Sequence, residues 1–358
     1  MKKFLCAFVS ICIMVVLASC NGTTSAPTPE PAPDPTPVST PAPESETSAF
    51  EGAPTIELKI AHPHPAGSAT DKGYNLIATM VAELTEGTVT AQVFPSGSLV
   101  SSAEAVEALR NGTIDIAQLT VGDVATVVPA MSLIDVPGSY AQKPGDDDYL
   151  LVLGAAIRET MAPSGISVLY PHPAAPSWFF SNKLNPRSPE DLKGLTVRAS
   201  GKYSGLAVET WGASPVTITL ADLPTAMERN TVDVVISPGL GAFANGWYEL
   251  QHYLTITDFN TAMALSAISQ ITLDKMTPAQ QDALYKAAFD GMWLIGSETD
   301  KEMEEGMGVM LDYGNQIEEL TVEENKVFKD SMKPLRDQVI SEVGEAAAKL
   351  EDVLQNFR

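Results

Sequence analysis

Two apolar periods alternate along most of the chain beyond residue 55. Ile56, Leu58 and Ile60 alternate with Glu57 and Lys59, which predicts a strand with one buried face. From Asp71 onward, Tyr74, Ile77, Val81 and Leu84 recur at helical spacing, and Gly87 stands where that helix should stop. Residues 88–94 read as a strand, 103–111 as a helix stopped by Gly112, and 114–119 as a third strand. Further strands are predicted at 165–170, 195–200, 215–220 and 232–236, with helices at 203–211 and 221–229. Ser188-Pro189-Glu190-Asp191 has the make-up of a helix start: a hydroxyl cap, proline at the first position, then acids that suit the helix N-terminus. From Thr277 the pattern is nearly all helical. Strands alternating with helices predict an α/β fold with mainly parallel sheets. No internal repeat stands out.

The first 53 residues follow other rules. Lys2 and Lys3 precede an apolar run over 4–17, too short for a membrane span and placed as an export signal. It ends in Leu17-Ala18-Ser19-Cys20, which resembles the lipobox of bacterial lipoproteins, whose cysteine is lipidated. An ordinary signal with an incidental cysteine is the alternative; the spacing and the segment that follows favour the lipobox. Eight prolines lie between Pro27 and Pro43 among Thr, Ser, Ala and Glu, a composition with too few apolar residues to fold. The expected division is a signal peptide over 1–19, then the lipidated Cys20 and a disordered tether over 20–53. The three cysteines are Cys6, Cys12 and Cys20. Cleavage before Cys20 leaves that one alone, so neither an internal disulfide, a cysteine nucleophile nor a cysteine-ligated metal is expected.

Charge and motif content narrow the function. With 22 Lys plus Arg against 45 Asp plus Glu, the net charge is −23, which excludes a nucleic-acid partner held by a basic face. An anionic small molecule is not excluded, because salt screens a distant acidic surface from one well-placed arginine. No G-x-S-x-G elbow, Walker loop or strand-linked G-x-G-x-x-G is present. No catalytic residue and no cofactor is therefore nominated. His62 and His64 could share one side of a strand end and hold a metal, but no acidic cluster completes such a site and His62-Pro63-His64-Pro65 reads as a turn. They are taken as loop histidines, with no metal site. His172 and His252 read as satisfied polar residues, and Asp146, Asp147 and Asp148 as a solvated helix start.

Arg198 is the residue to weigh. In Leu195-Thr196-Val197-Arg198-Ala199-Ser200 the apolar residues alternate with polar ones. The polar face is either solvated or the lining of a cleft, where a guanidinium binds a carboxylate through two parallel hydrogen bonds.

The ten residues Pro189 to Arg198, P-E-D-L-K-G-L-T-V-R, resemble the most diagnostic stretch of the DctP-like substrate-binding subunits of tripartite ATP-independent periplasmic (TRAP) transporters. Residues 93–99, the R-x-G-x-x-D segment ending at Asp115, Gly212 to Val216, Val232-Asp233 and residues 248–255 are similar to further landmarks in the same order. The resemblance covers essentially everything from Ile56 to the C-terminus. It implies a two-lobed periplasmic-binding-protein-like clamshell with crossing strands and a long helix spanning both lobes. The expected lobes are 54–174 with about 262–300, and 175–261 with about 301–358. The family's arginine on the strand after D-L-K-G pairs with a substrate carboxylate, and Arg198 holds that position. Two features depart from the family pattern. Residues 176–182 carry no arginine, and Ser237 stands where many members have a ligand-contacting Asn. With Trp178, Phe180 and Phe243 as apolar walls, each equally readable as core packing, and His64 as a further contact, these suggest an organic acid with an apolar body and count against a polyanionic or sugar-acid ligand. The implied protein is an extracytoplasmic, lipid-anchored, monomeric carrier delivering a small carboxylate to an ion-driven TRAP permease. A binding protein for an ABC importer or a sensor, or an enzyme on a clamshell fold, are the competing classes.

Overall fold

The computed structural model describes residues 48–357 apart from 141–148, 200–201, 219–221 and 260. The expected signal peptide, Cys20, the tether up to residue 47 and the acidic run Asp146–Asp148 lie outside the described residues.

The first half follows its apolar pattern closely. β1 (Ile56–Ala61) buries Leu58 and Ile60 and exposes Glu57 and Lys59. α1 (Ala69–Leu84) is capped by Ser68, whose hydroxyl accepts the Asp71 N–H, and it buries Tyr74, Ile77 and Val81. β2 (Val89–Phe94), α2 (Ser102–Arg110) and β3 (Ile116–Thr120) follow. α3 (Val121–Ala125), α4 (Ser132–Asp135) and α5 (Gly154–Met161) lead to β4, which runs from Ile166 to Ser181. The sequence pattern ended that strand at Tyr170 because prolines follow, and proline donates no ladder hydrogen bond. The strand continues nevertheless, with a register irregularity between Pro173 and Pro176.

The second half contains β5 (Thr196–Arg198), α6 (Lys202–Thr210), β6 (Ser214–Val216), α7 (Leu223–Glu228), β7 (Val234–Pro238) and α8 (Gly239–Ala244). The expected helix at Ser188 is a single tight turn over Pro189–Leu192, closed by the Ser188–Asp191 capping box. β8 (Tyr253–Ile256) and β9 (Thr261–Ser269) have no counterpart in the sequence reading. The chain ends with α9 (Gln270–Leu273), α10 (Pro278–Tyr313), β10 (Gln316–Glu319), α11 (Val322–Ser331), α12 (Lys333–Val343) and α13 (Glu345–Leu354). The expected all-helical tail is thus interrupted by β10, which pairs in parallel with β8.

Strand order runs β2-β1-β3-β9-β4-β7-β5-β6. β1, β2 and β3 are parallel to each other, as are β5, β6 and β7, and each trio meets an antiparallel strand, β9 for the first and β4 for the second. The two trios define two lobes joined through β4 and β9. Their relative direction follows from register. β4 is antiparallel to β9, which is antiparallel to β3, so β4 leaves the first lobe where β3 ends. It enters the second lobe with Ser177 opposite Pro238, the last residue of β7. The carboxyl ends of both parallel trios therefore flank the crossing, the place where open α/β sheets receive ligands.

The 36 residues of α10 span about 54 Å at 1.5 Å per residue and tie the lobes together. In the first lobe it crosses α1 at a pair of glycines. A Cβ on Gly73 would stand 2.7 Å from the Gly291 carbonyl oxygen, and one on Gly291 2.9 Å from that of Gly73. Further along, Gly306 lies under the ring of Phe243 of α8. An aromatic core of Phe179, Trp211, Phe259 and Phe328 fills one face of the second sheet, with Phe259 and Phe328 stacked at 4.7 Å. Trp178, Phe180 and Trp247 fill the opposite face. α12 and α13, expected to accompany the second lobe, lie against α4 and α5 of the first half, where Leu335, Val339, Leu350 and Leu354 are buried.

The structure also corrects the reading that the chain lacks a repeat. Residues 108–116 (A-L-R-N-G-T-I-D-I) and 226–234 (A-M-E-R-N-T-V-D-V) align without a gap and are built alike. Each joins a helix to the strand of its trio that lies against a crossing strand. Gly112 (φ 72°) matches Asn230 (φ 51°), and the Thr113 N–H to Ala108 bond (2.9 Å) matches Thr231 N–H to Ala226 (3.0 Å). The lobes are two copies of one βαβαβ plan.

Candidate functional site

The second lobe's carboxyl edge gathers three of the expected site residues. Arg198 is the last residue of β5, and its register partner on β7 is Val235. Ser237 lies two residues further along β7, opposite Trp178 of β4. Side chains two apart share a face of a sheet, so Arg198, Ser237 and Trp178 occupy one side. Arg198 is 5% exposed, which rules out a solvated strand face. Its Nε donates to the Ile218 carbonyl at 3.1 Å and its Nη1 to the Ile236 carbonyl at 3.2 Å. Among the described residues no carboxylate pairs with it. Burial lowers its pKa from the ordinary arginine value, and no acidic neighbour acts against that shift.

The surrounding residues divide by depth. Ser237 is buried. The Trp178 ring lies under Gly239 at the start of α8, and its indole N–H has no hydrogen-bond partner among the described residues. Phe180, one alternation deeper on β4, is fully buried against Trp247, so its ring is part of the lobe core. Phe243 is half-buried on α8 and packs on α10. His64 belongs to the first lobe, on the exposed loop after β1. Crowding by surrounding groups first, and His62 second, lowers its pKa.

His62 differs from the loop residue the sequence suggested. It is 2% exposed, its Nε2 lies 3.2 Å from Asp71 Oδ1, and its ring stacks on Tyr74 at 5.5 Å. Burial lowers its pKa, opposed by the hydrogen bond and charge of Asp71. Sequence reasoning found no acid for it because the partner sits nine residues on, in the first turn of α1. No three His, Cys, Asp or Glu side chains converge as metal ligands among the described residues.

The first lobe's edge is acidic where the second is cationic. Asp71 follows the end of β1. Asp123 sits in α3 directly after β3, its carboxylate accepting the Thr120 hydroxyl at 2.7 Å. Asp135 at the end of α4 is pushed up to about 6, by burial first and by Asp123 second.

Two joined α/β lobes, with the carboxyl ends of their strands flanking the crossing and one lobe-spanning helix, make up the architecture of an extracytoplasmic solute-binding protein. The family model of the DctP proteins, bacterial extracellular solute-binding protein family 7, matches residues 60–342, and the chain belongs to that family of TRAP substrate-binding subunits. The 2,3-diketo-L-gulonate-binding periplasmic protein YiaO of Escherichia coli is 24% identical over 283 residues, 76% of this chain and 84% of that protein. A TRAP periplasmic solute-binding protein from Ochrobactrum anthropi superposes with a TM-score of 0.79 at 22% identity, over 85% of this chain and 96% of its own. One from Chromohalobacter salexigens, solved with bound D-glucuronate, superposes at 0.73 with 20% identity, over 83% and 99%.

The raised Asp135 pKa has a pH consequence of definite sign. The native state holds this proton more tightly than the unfolded chain, whose carboxyl titrates near ~3.9. The stabilisation is full below about pH 4 and is lost as pH rises through about 6. Asp135→Asn is expected to stabilise the protein by about 1–3 kcal/mol at pH 7.5, and by nothing near pH 4, in denaturant unfolding at the two pH values. An equal effect at both would show that the proton on Asp135 is not involved.

Proposed function

We propose that this protein captures a small organic acid outside the cytoplasm by its carboxylate, with Arg198 as the principal polar anchor, and hands it to a TRAP permease driven by an ion gradient. The observation that carries this is a guanidinium 5% exposed, held by two main-chain carbonyls, with no acid beside it among the described residues. A buried cation without a counter-charge is costly, and a ligand carboxylate supplies what the fold omits. The acidic first-lobe edge orients the ligand, since its anionic end is repelled by Asp71 and Asp123 and drawn to the second lobe. Ser237 and the free Trp178 indole N–H then meet polar atoms of the ligand body. Phe243 and the His64 loop flank it, and Phe180 supports Trp178 from below. A relative named for diketogulonate and a similar structure with bound glucuronate support a carboxylate of this size, and as sugar acids they speak against the expectation that such ligands are disfavoured. With one arginine and an aromatic wall, the pocket suits a monocarboxylate with a ring or apolar body better than a polyanion.

The test is calorimetric titration, into wild type and Arg198 variants, of the acid identified by mass spectrometry after denaturing freshly purified protein. Arg198→Ala is expected to lose about 2–5 kcal/mol of binding, roughly 30-fold to several thousand-fold in affinity. Arg198→Lys loses most of it too, because an ammonium keeps the charge without the planar fork. The melting temperature of the empty protein stays close to wild type, since relief of an unpaired buried charge offsets two lost carbonyl bonds. Unchanged affinity in Arg198→Ala would sink the proposal.

We further propose that Cys20 anchors the monomeric protein to the membrane, on the strength of Leu17-Ala18-Ser19-Cys20 and the proline-rich segment after it. Among the described residues no helix is long and apolar enough to cross a membrane. Cys20→Ser is expected in the soluble fraction with binding intact. A variant that stays with the membranes places the anchor elsewhere.

A further inference from the structure

The two copies of the βαβαβ plan carry an aspartate at the same position, Asp115 in the first lobe and Asp233 in the second. Each makes the same bonds to the neighbouring strand. Asp115 N–H donates to the Lys59 carbonyl at 3.2 Å, and Lys59 N–H donates back to the Asp115 carboxylate at 2.8 Å. Asp233 N–H donates to the Thr196 carbonyl at 2.8 Å, and Thr196 N–H donates back to the Asp233 carboxylate at 2.8 Å. The second carboxylate oxygen is also used in each lobe. Thr272 Oγ1 donates to Asp115 at 2.6 Å, and Lys183 Nζ lies 2.6 Å from Asp233. Even the main-chain carbonyls correspond, one accepting from Ser269 N–H at 2.8 Å and the other from Ser181 Oγ at 2.9 Å.

The consequences differ because the strands differ. β1 is six residues long and is bound along its whole length to β2, so the Asp115 bonds reinforce a ladder that other bonds already fix. β5 is three residues long, Thr196–Arg198. Thr196 is its first residue and Arg198 its last; all three residues pair with β6, and only Val197 and Arg198 have register partners on β7, as only Ile60 and Ala61 of β1 have on β3. Three residues make few ladder bonds, so the Asp233 carboxylate, which extends the β7 side to Thr196, supplies a larger share of the hold on β5 than Asp115 does on β1. It is partly buried, which raises its pKa, but Lys183 and the Thr196 N–H more than offset that and keep it below the usual range. A slip of β5 along β7 by one residue would turn Arg198 to the opposite face of the sheet. The guanidinium would then lose the Ile218 and Ile236 carbonyls.

We propose that Asp233 is a positioning residue for Arg198, clamping β5 in register so that the guanidinium stays aimed at the ligand site, and that Asp115 is its structural twin without that role. The proposal rests on the reading of Arg198 as the anchor, but its test needs no ligand. The readout is hydrogen exchange of the Arg198 Nε–H by nitrogen-15 NMR, its signal assigned by its absence in Arg198→Lys. A buried Nε–H bonded to a carbonyl exchanges slowly. Asp233→Ala is expected to speed this exchange about ten- to hundredfold, the equivalent of losing a hydrogen bond to a charged acceptor. Asp115→Ala is expected to lower the melting temperature comparably while leaving the Arg198 signal as in wild type. Asp233→Asn keeps an acceptor for Thr196 N–H and is expected to retain most of the protection. If Asp233→Ala does not fold, Asp233→Glu, with the carboxylate displaced by one methylene, gives the same reading. Unchanged Arg198 exchange in the folded Asp233 variant, or equal loss in Asp115→Ala, overturns the proposal. If the NMR result holds while Arg198 variants bind normally, the positioning stands and the functional reading falls.

Discussion

The constraint on which the second lobe turns is an arginine kept out of water with no acid beside it among the described residues. Arg198 donates to two backbone carbonyls and, among the described residues, meets no carboxylate. A carbonyl pair holds a guanidinium in place and leaves its positive field uncancelled. A protein with 45 acidic residues and 22 basic ones had no shortage of carboxylates to place there. The fold spends its ion pairs elsewhere, as in Arg187 with Glu318 and Glu324, which ties the loop before β5 to β10 and α11. In the proposed function the missing charge arrives with the ligand.

The duplicated plan sets the charge of the second lobe across the crossing from the acidic edge of the first. Both lobes present the carboxyl ends of three parallel strands to the crossing, and both fix their strands with an aspartate at the same place. The first lobe ends β1 with Ala61 and leads into His62, Asp71 and an acidic rim. The second ends β5 with Arg198. The long helix α10 holds the two halves together through its glycine crossing with α1 and through Gly306 under Phe243. Both contacts depend on the absence of a Cβ, which brings helix backbones closer than side chains permit.

Much of this was legible in the sequence, and what was missed has physical reasons. β1, α1, β2 and α2 carry a readable period because each has a buried and a more exposed face, whereas β3 reads as a strand although it is buried on both faces. β9 was missed because it is buried on both sides and runs Thr261 to Ser269 without alternation. β4 was cut short at Tyr170 because its prolines argue against a strand, whereas they fall where it passes between sheets. The turn at Ser188 shows a correct capping signal spent on a single turn. Arg198 stood out through alternation and family resemblance, but its burial and the carbonyls that hold it are tertiary facts. Phe180 and Trp178, two residues apart on one strand, look equivalent in sequence and are buried in one cluster; register alone puts Trp178 beside the carboxyl end of β7. His62 found its acid nine residues away on a helix. The duplicated aspartates were visible only as a nine-residue echo between 108–116 and 226–234, too short to notice before the turns were seen to match.

The most direct test of the central claim changes only the ligand's charge. The acid released from the purified protein and its primary amide have nearly the same shape, so calorimetric titration of both into wild type isolates what Arg198 answers. The account predicts that the acid binds at least ~30-fold more tightly than the amide, the low end of the cost of breaking a buried charge pair. Equal affinities would contradict it, because a site that ignores the charge has no use for a buried arginine without an acid.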